Sequence, residues 1–113
     1  MSIATRLDVE PIRSRGFATI TANYLSVGNE LNNAASFIVF QNLTDAEVMI
    51  SFNGVDDHLA LPEFGGLVLD VTANMTREGG FFVAEGTQFY VKAIGNLPSA
   101  GSFYISLFYG AEY

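Results

Sequence analysis

The stretch Ser36-Phe37-Ile38-Val39-Phe40-Gln41-Asn42-Leu43-Thr44-Asp45-Ala46-Glu47-Val48-Met49-Ile50-Ser51-Phe52-Asn53-Gly54 decides the fold. Ser36 to Phe40 offers apolar side chains to both faces, the mark of a strand covered on both sides. Asn42-Leu43-Thr44-Asp45 reads as a turn, because Asn, Thr and Asp side chains bond nearby backbone groups. Val48, Ile50 and Phe52 then point inward while Glu47, Met49 and Ser51 point outward, a period of two. Asn53-Gly54 follows, the dipeptide best suited to the positive φ of a tight hairpin. The polar stretch runs on to His58, so the connection is allowed to be longer than two residues.

The same grammar extends in both directions. Strand-like stretches cover residues 37–42, 48–52, 67–71, 81–84, 89–94 and 103–109, cut by Pro62, Gly65-Gly66, Gly79-Gly80, Gly86, Gly95-Asn96 and Pro98 to Gly101. Phe89, Val91 and Ala93 oppose Gln88, Tyr90 and Lys92, and Phe103, Ile105 and Leu107 oppose Tyr104, Ser106 and Phe108. Upstream, Ala18, Ile20, Ala22 and Tyr24 alternate with Thr19, Thr21 and Asn23, which predicts a further strand over 17–24. Residues 28–35 are Asn-rich and read as a loop. No window of helical period runs beyond two turns. Turn signals every 8–12 residues predict an all-β fold. It is read as a single-domain antiparallel β-sandwich of seven to eight strands, jelly-roll-like, with an immunoglobulin-like sandwich as the second choice. Pro11 and the absence of steady periodicity make residues 1–15 an extended N-terminal arm, with a short edge strand around Leu7 to Val9, and residues 16–113 the sandwich domain.

Composition narrows the function. The 113 residues include no Cys, which excludes a disulfide frame or a thiolate metal site. No basic segment followed by an apolar run opens the sequence, and no apolar run approaches the ~18 residues of a membrane helix. Neither a signal peptide nor a membrane partner is therefore expected. Half of the residues are hydrophobic and only 15% are charged, against about 25% charged in soluble domains. Such a deficit of surface charge points to a subunit–subunit interface, hence a homo-oligomer. The net charge of −7 is unevenly spread. Arg6, Arg13 and Arg15 outweigh Asp8 and Glu10 in the arm, whereas Arg77 and Lys92 face ten acids in the body. An acidic body repels phosphate, so no direct nucleic-acid contact is expected. The cationic arm is suited either to a neighbouring acidic copy or to free solvent, and Asp70 reads either as an outward-facing position or as an acceptor for Arg13 or Arg15 of an adjacent subunit.

Few residues remain for chemistry. Asp56-Asp57-His58 is the one site-like cluster, and two carboxylates with an imidazole suit a divalent cation. Consecutive residues in an extended loop splay apart, however, and the spacing is not that of a calcium loop. A solvated turn is the reading preferred, with no metal and no cofactor. His58 is the sole His, no nucleophile elbow accompanies it, and no Trp offers a sugar platform, so no enzymatic activity and no catalytic residues are expected. Asn42-Leu43-Thr44 and Asn74-Met75-Thr76 match a glycosylation pattern that turn capping explains equally well. Phe64, between Glu63 and Gly65 in a turn, and Tyr113 are aromatics placed for docking.

Taken together, Asn42 to Asp45, Ile50 to His58, Leu67-Val68-Leu69-Asp70, Gly86 to Lys92 and Ser99 to Ser106 resemble small virion structural proteins of tailed bacteriophages. The resemblance spans roughly residues 35–109. Where the pattern has Asp-Gly after Ile50-Ser51-Phe52, this sequence has Asn53-Gly54, which keeps the turn and weakens a metal ligand there. The resemblance implies a non-catalytic virion component assembled in the host cytoplasm: a cement or decoration protein on the capsid, or alternatively a neck or tail ring or connector. Its partners would be itself and other virion proteins, such as the major capsid protein or neck and tail proteins. A free-standing carbohydrate- or receptor-binding sandwich is the alternative from another class. Arg6, Arg13, Arg15, Phe64, Asp70 and Tyr113 are the interface candidates.

Overall fold

The structure, a computed structural model, describes residues 5–70 and 85–112. The stretch read as a strand over 81–84 lies outside them. The described residues form two antiparallel sheets stacked as a sandwich. One sheet contains β1 (Thr5–Val9), β2 (Arg13–Gly16), β4 (Phe37–Asn42), β7 (Gly66–Asp70) and β9 (Ser102–Glu112), in the order β1-β9-β4-β7. The other contains β3 (Leu25–Ser26), β5 (Val48–Ser51), β6 (Leu59–Leu61) and β8 (Tyr90–Ala93), in the order β3-β8-β5-β6.

On β5, β8 and β9 the inward residues include those the alternation assigns, and Leu61 joins them from a strand it does not mark. Ile38, Phe40, Phe103, Ile105 and Leu107 from the first sheet meet Val48, Ile50, Leu61, Val91 and Ala93 from the second, all buried. Phe89 sits edge-on to Phe40 and Phe52, with ring centroids 5.7 and 5.1 Å apart, an attractive geometry for aromatic quadrupoles. Ile20, Val27, Leu31 and Ala35 seal the core from the loops. At about 1.5–3 kcal/mol for each large side chain buried, this cluster is the main source of stability.

β1 and β2 are one edge strand interrupted by a bulge. Val9 pairs with Phe108 and Arg13 with Ile105. Four residues on the edge thus span three on β9, and Pro11, which has no N–H to donate, occupies the interruption. The described part of the segment read as an arm, residues 5–15, therefore runs along β9, and the two edge strands bring the number among the described residues to nine.

Two local readings are corrected. Residues 17–24 are not a strand: Phe17–Thr19 is a single 3-10 turn, followed by irregular chain to Tyr24. Of the apolar positions in that alternation only Ile20 is buried, and Ala18 and Ala22 have too little side chain to hold a sheet face. Local bonds take over instead. The Thr19 hydroxyl donates to the Gly16 carbonyl at 2.8 Å, and the Asn23 N–H donates to Thr21 Oγ1 at 3.2 Å. Ser51, assigned outward, is fully buried. Its Oγ accepts the N–H groups of Asn53 and Gly54 at 3.2 and 2.9 Å and starts the turn.

Candidate interaction surfaces

Arg13 and Arg15 of the arm are engaged by their own chain. Arg13 is buried, and its Nη2 donates to Glu10 Oε1 at 2.8 Å and to the Glu30 carbonyl at 3.0 Å, while Nε donates to the Asn29 carbonyl at 3.0 Å. Glu10 also accepts from Asn33 Nδ2 at 3.0 Å. Burial pushes the Glu10 carboxyl upward, but the bonds from Arg13, Asn33 and the Asn32 backbone and the Arg13 charge outweigh it, so it titrates below its ordinary value. The Arg13 stem fills the space beside Gly28, where a Cβ would lie 2.7 Å from its Cγ. Arg15 donates to the carbonyls of Thr19 and Ser26 at 3.2 and 2.9 Å. The bulge thereby clamps the loop at residues 29–33 to β9. Arg6 enters through its backbone, opposite Ala111. Asp70 is exposed on β7 opposite Phe37. Tyr113 lies outside the described residues.

The loop at 53–58 does not converge on an ion. Asp56 accepts from Asn53 Nδ2 at 2.9 Å, Asp57 accepts from the Tyr24 hydroxyl and meets Lys92 Nζ at 3.3 Å, and His58 Nδ1 accepts the Phe52 N–H at 3.0 Å. The acids diverge as adjacency in the sequence predicts. Lys92 also lies 4.6 Å above the Tyr24 ring, a cation–π contact. Burial, and then the hydrogen bond and charge of Asp57, push the Tyr24 phenol above its ordinary value. Among the described residues no three His, Cys, Asp or Glu side chains gather as a metal site.

The end of the sandwich formed by the β2–β3, β4–β5, β6–β7 and β8–β9 connections carries a different surface. Phe17, Leu43, Phe64 and Leu97 are exposed there, Phe64 at 66% and Leu97 at 59%. Their loops are tied together: Phe17 N–H donates to the Gly101 carbonyl, Leu43 N–H to Ser102 and Phe64 N–H to Thr44, at 3.0–3.2 Å. Buried Asn42 braces them, its Nδ2 donating to the carbonyls of Ala46 and Pro62 at 2.9 Å and its Oδ1 accepting from Thr44. The Asn42-Leu43-Thr44 pattern is thus a turn device. Phe64 stands at φ 54, the left-handed region, which a bulky side chain adopts at a cost of about 1–2 kcal/mol. The rim is acidic, with Glu47 and Glu63 exposed and Asp45 held below its ordinary range by the bonds it accepts from Ser99. Phe64 is legible in the sequence as an apolar residue inside a turn. The same signal marks Leu43, between Asn42 and Thr44, and Leu97, between Asn96 and Pro98, which sequence reading passed over.

No family model matches the chain and no curated protein matches it. Among solved structures it is similar to the Dit protein of phage SPP1, described as a paradigm of hub adsorption apparatus in phages infecting Gram-positive hosts. The TM-score is 0.42 at 12% identity, over 91% of this chain and 49% of that one. The chain thus spans about half the length of that protein.

Proposed function

We propose that the protein is a non-catalytic structural subunit of a bacteriophage virion that cements or decorates the capsid by contact with its own copies and with other virion proteins. The single observation carrying this is the acid-rimmed apolar end, where Phe64 is held exposed in a strained backbone conformation. Strain of this kind survives where the surroundings over-determine it, and it clusters at functional positions. The likeness of its strand and turn segments to small virion proteins supports the same reading. So does the engagement of Asp57, Lys92 and His58 in holding loops, which leaves them no evident chemical task.

The test is Phe64→Gly. Glycine accepts positive φ without strain, so the isolated variant is expected to be as stable as wild type or up to about 1 kcal/mol more stable. Loss of a ring worth about 2 kcal/mol on burial weakens each docking contact roughly thirtyfold. Particles assembled with the variant should carry several-fold fewer copies, counted by quantitative mass spectrometry of purified virions. Wild-type occupancy would refute the reading.

A further inference from the structure

The outer side of the sheet β1-β9-β4-β7 has a composition fixed by its register. One row across it reads Val9, Phe108, Phe37, Asp70; the next reads Ser106, Val39, Val68; a third reads Ser14, Tyr104, Gln41, Gly66. Phe37 and Phe108 stack with centroids 4.6 Å apart and planes at 16°. Val9, Ile12 and Val68 are exposed along this face and its edge, Val68 at 58%. Together with the four residues of the acid-rimmed end, they account for all the exposed large hydrophobics among the described residues except Val55. Asp70, at one corner, is the one acidic or basic side chain among the described residues of these rows.

Electrostatics selects the occupant. Two copies of a chain of net charge −7 repel each other, and most approaches would also desolvate carboxylates: Glu47 and Glu63 at the sandwich end, or Asp56 and Asp57 on the loop over the other sheet. This face brings almost no ionised group into a contact. A cationic partner would gain little from it, because Asp70 at the corner is the one carboxylate among the described residues of these rows and the other acids lie elsewhere. A sheet face that is apolar over Val9, Phe108, Phe37, Val39 and Val68 and charged only at its Asp70 corner is complementary to another of the same kind, packed about 10 Å away as in a sandwich. We infer that this face is an isologous contact between two copies of the chain, with the two-fold axis passing near Ser106 and Val39. The inference deepens the assembly-subunit reading by naming the surface for self-contact, and its test on the isolated chain is separate from particle incorporation.

The chain has no Cys, so Ser106→Cys introduces a single thiol at the centre of the face, and Ala60→Cys provides a control at the exposed position of β6 in the other sheet. A bis-maleimide spanning roughly 10 Å, the spacing of packed sheets, should link S106C into a covalent dimer and leave A60C monomeric. Sedimentation equilibrium of the unmodified chain should show a dimer. Val39→Lys and Val68→Lys should each weaken it about a hundredfold, since each places two like charges in the contact. Val68 is exposed enough for its variant to fold whatever happens to V39K, and far-UV circular dichroism checks both. A wild-type chain that is monomeric at every concentration overturns the inference. So does association that survives V68K, or cross-linking of A60C as readily as S106C.

Discussion

Gly101 and Gly95 occupy the same backbone region, with φ +89 and +77, but only one of them touches anything. A Cβ on Gly101 would lie 2.0 Å from the Leu43 carbonyl oxygen, 2.9 Å from its carbon and 3.0 Å from Thr44 Cα, whereas a Cβ on Gly95 meets nothing within 4 Å. Gly95→Ala therefore isolates the cost of left-handed backbone, about 1–2 kcal/mol. Gly101→Ala carries the same cost plus a backbone collision. Non-bonded atoms prefer about 3.5 Å, so the β4–β5 and β8–β9 connections would have to part by roughly 1.5 Å. Leu43 cannot yield alone, because its N–H donates to Ser102 at 3.0 Å and the adjoining Thr44 belongs to the buried Asn42 network. Overpacking against a fixed backbone adds about 1–3 kcal/mol. At about 4 °C per kcal/mol for a domain of this size, G95A should lower Tm by about 4–8 °C and G101A by about 8–20 °C, read by thermal unfolding. Equal losses in the two variants would show that the connections at this end do not touch as described, and the apolar end would lose its rigid footing.

Two further measurements probe the clamps. Glu10→Gln removes one partner of a buried ion pair and should destabilise by about 3 kcal/mol at pH 7. Because the folded pKa of Glu10 is depressed below its ordinary 4.5, its contribution is present above that value and is lost as pH falls through the lower folded value. The gap between wild type and E10Q in urea midpoints should thus narrow below about pH 4.5, and a gap independent of pH would deny the ion pair. Asp57→Asn removes the hydrogen bond and charge that help hold the Tyr24 proton, so the phenol should titrate closer to its ordinary value. Ultraviolet titration against a Tyr24→Phe background resolves it, and an unmoved curve would separate Tyr24 from Asp57.

Legibility followed side-chain volume and strand length. Phe37–Asn42 was readable to its bounds, because every inward position is large and turn residues close it. Leu59–Leu61 escaped notice because a strand of three residues has no period to detect. Arg13 to Arg15 reads as part of an extended arm and becomes a strand only because β9 runs for 11 residues and offers an edge beside it. Arg13 looks like a surface charge in the sequence. Its burial depends on the bulge at Pro11, which brings Glu10 and the 29–33 loop around it, and no local pattern encodes that long-range meeting. Asp56-Asp57-His58 is legible as a turn, but the contacts of Asp57 with Tyr24 and Lys92 are long-range and no local pattern encodes them.

The division of exposed apolar side chains carries a consequence for assembly. Val9, Ile12 and Val68 lie along a sheet face that is almost free of charge, whereas Phe17, Leu43, Phe64 and Leu97 crowd one end beside Glu47 and Glu63. Like-charge repulsion makes the second surface a poor one for a copy of the same acidic chain and a good one for an unlike partner with a basic rim. The first has the reverse preference. A subunit with one self-complementary face and one surface selective for a different protein can form a closed pair and still attach that pair to a lattice, because the two contacts do not compete. Arg13 and Arg15 are then not required to bridge copies: they hold the edge strand and the 29–33 loop to the sandwich. That keeps β9 in register with its edge partner, and a register slip of one residue would turn Ile105 and Leu107 outward and destroy both the core and the outer face.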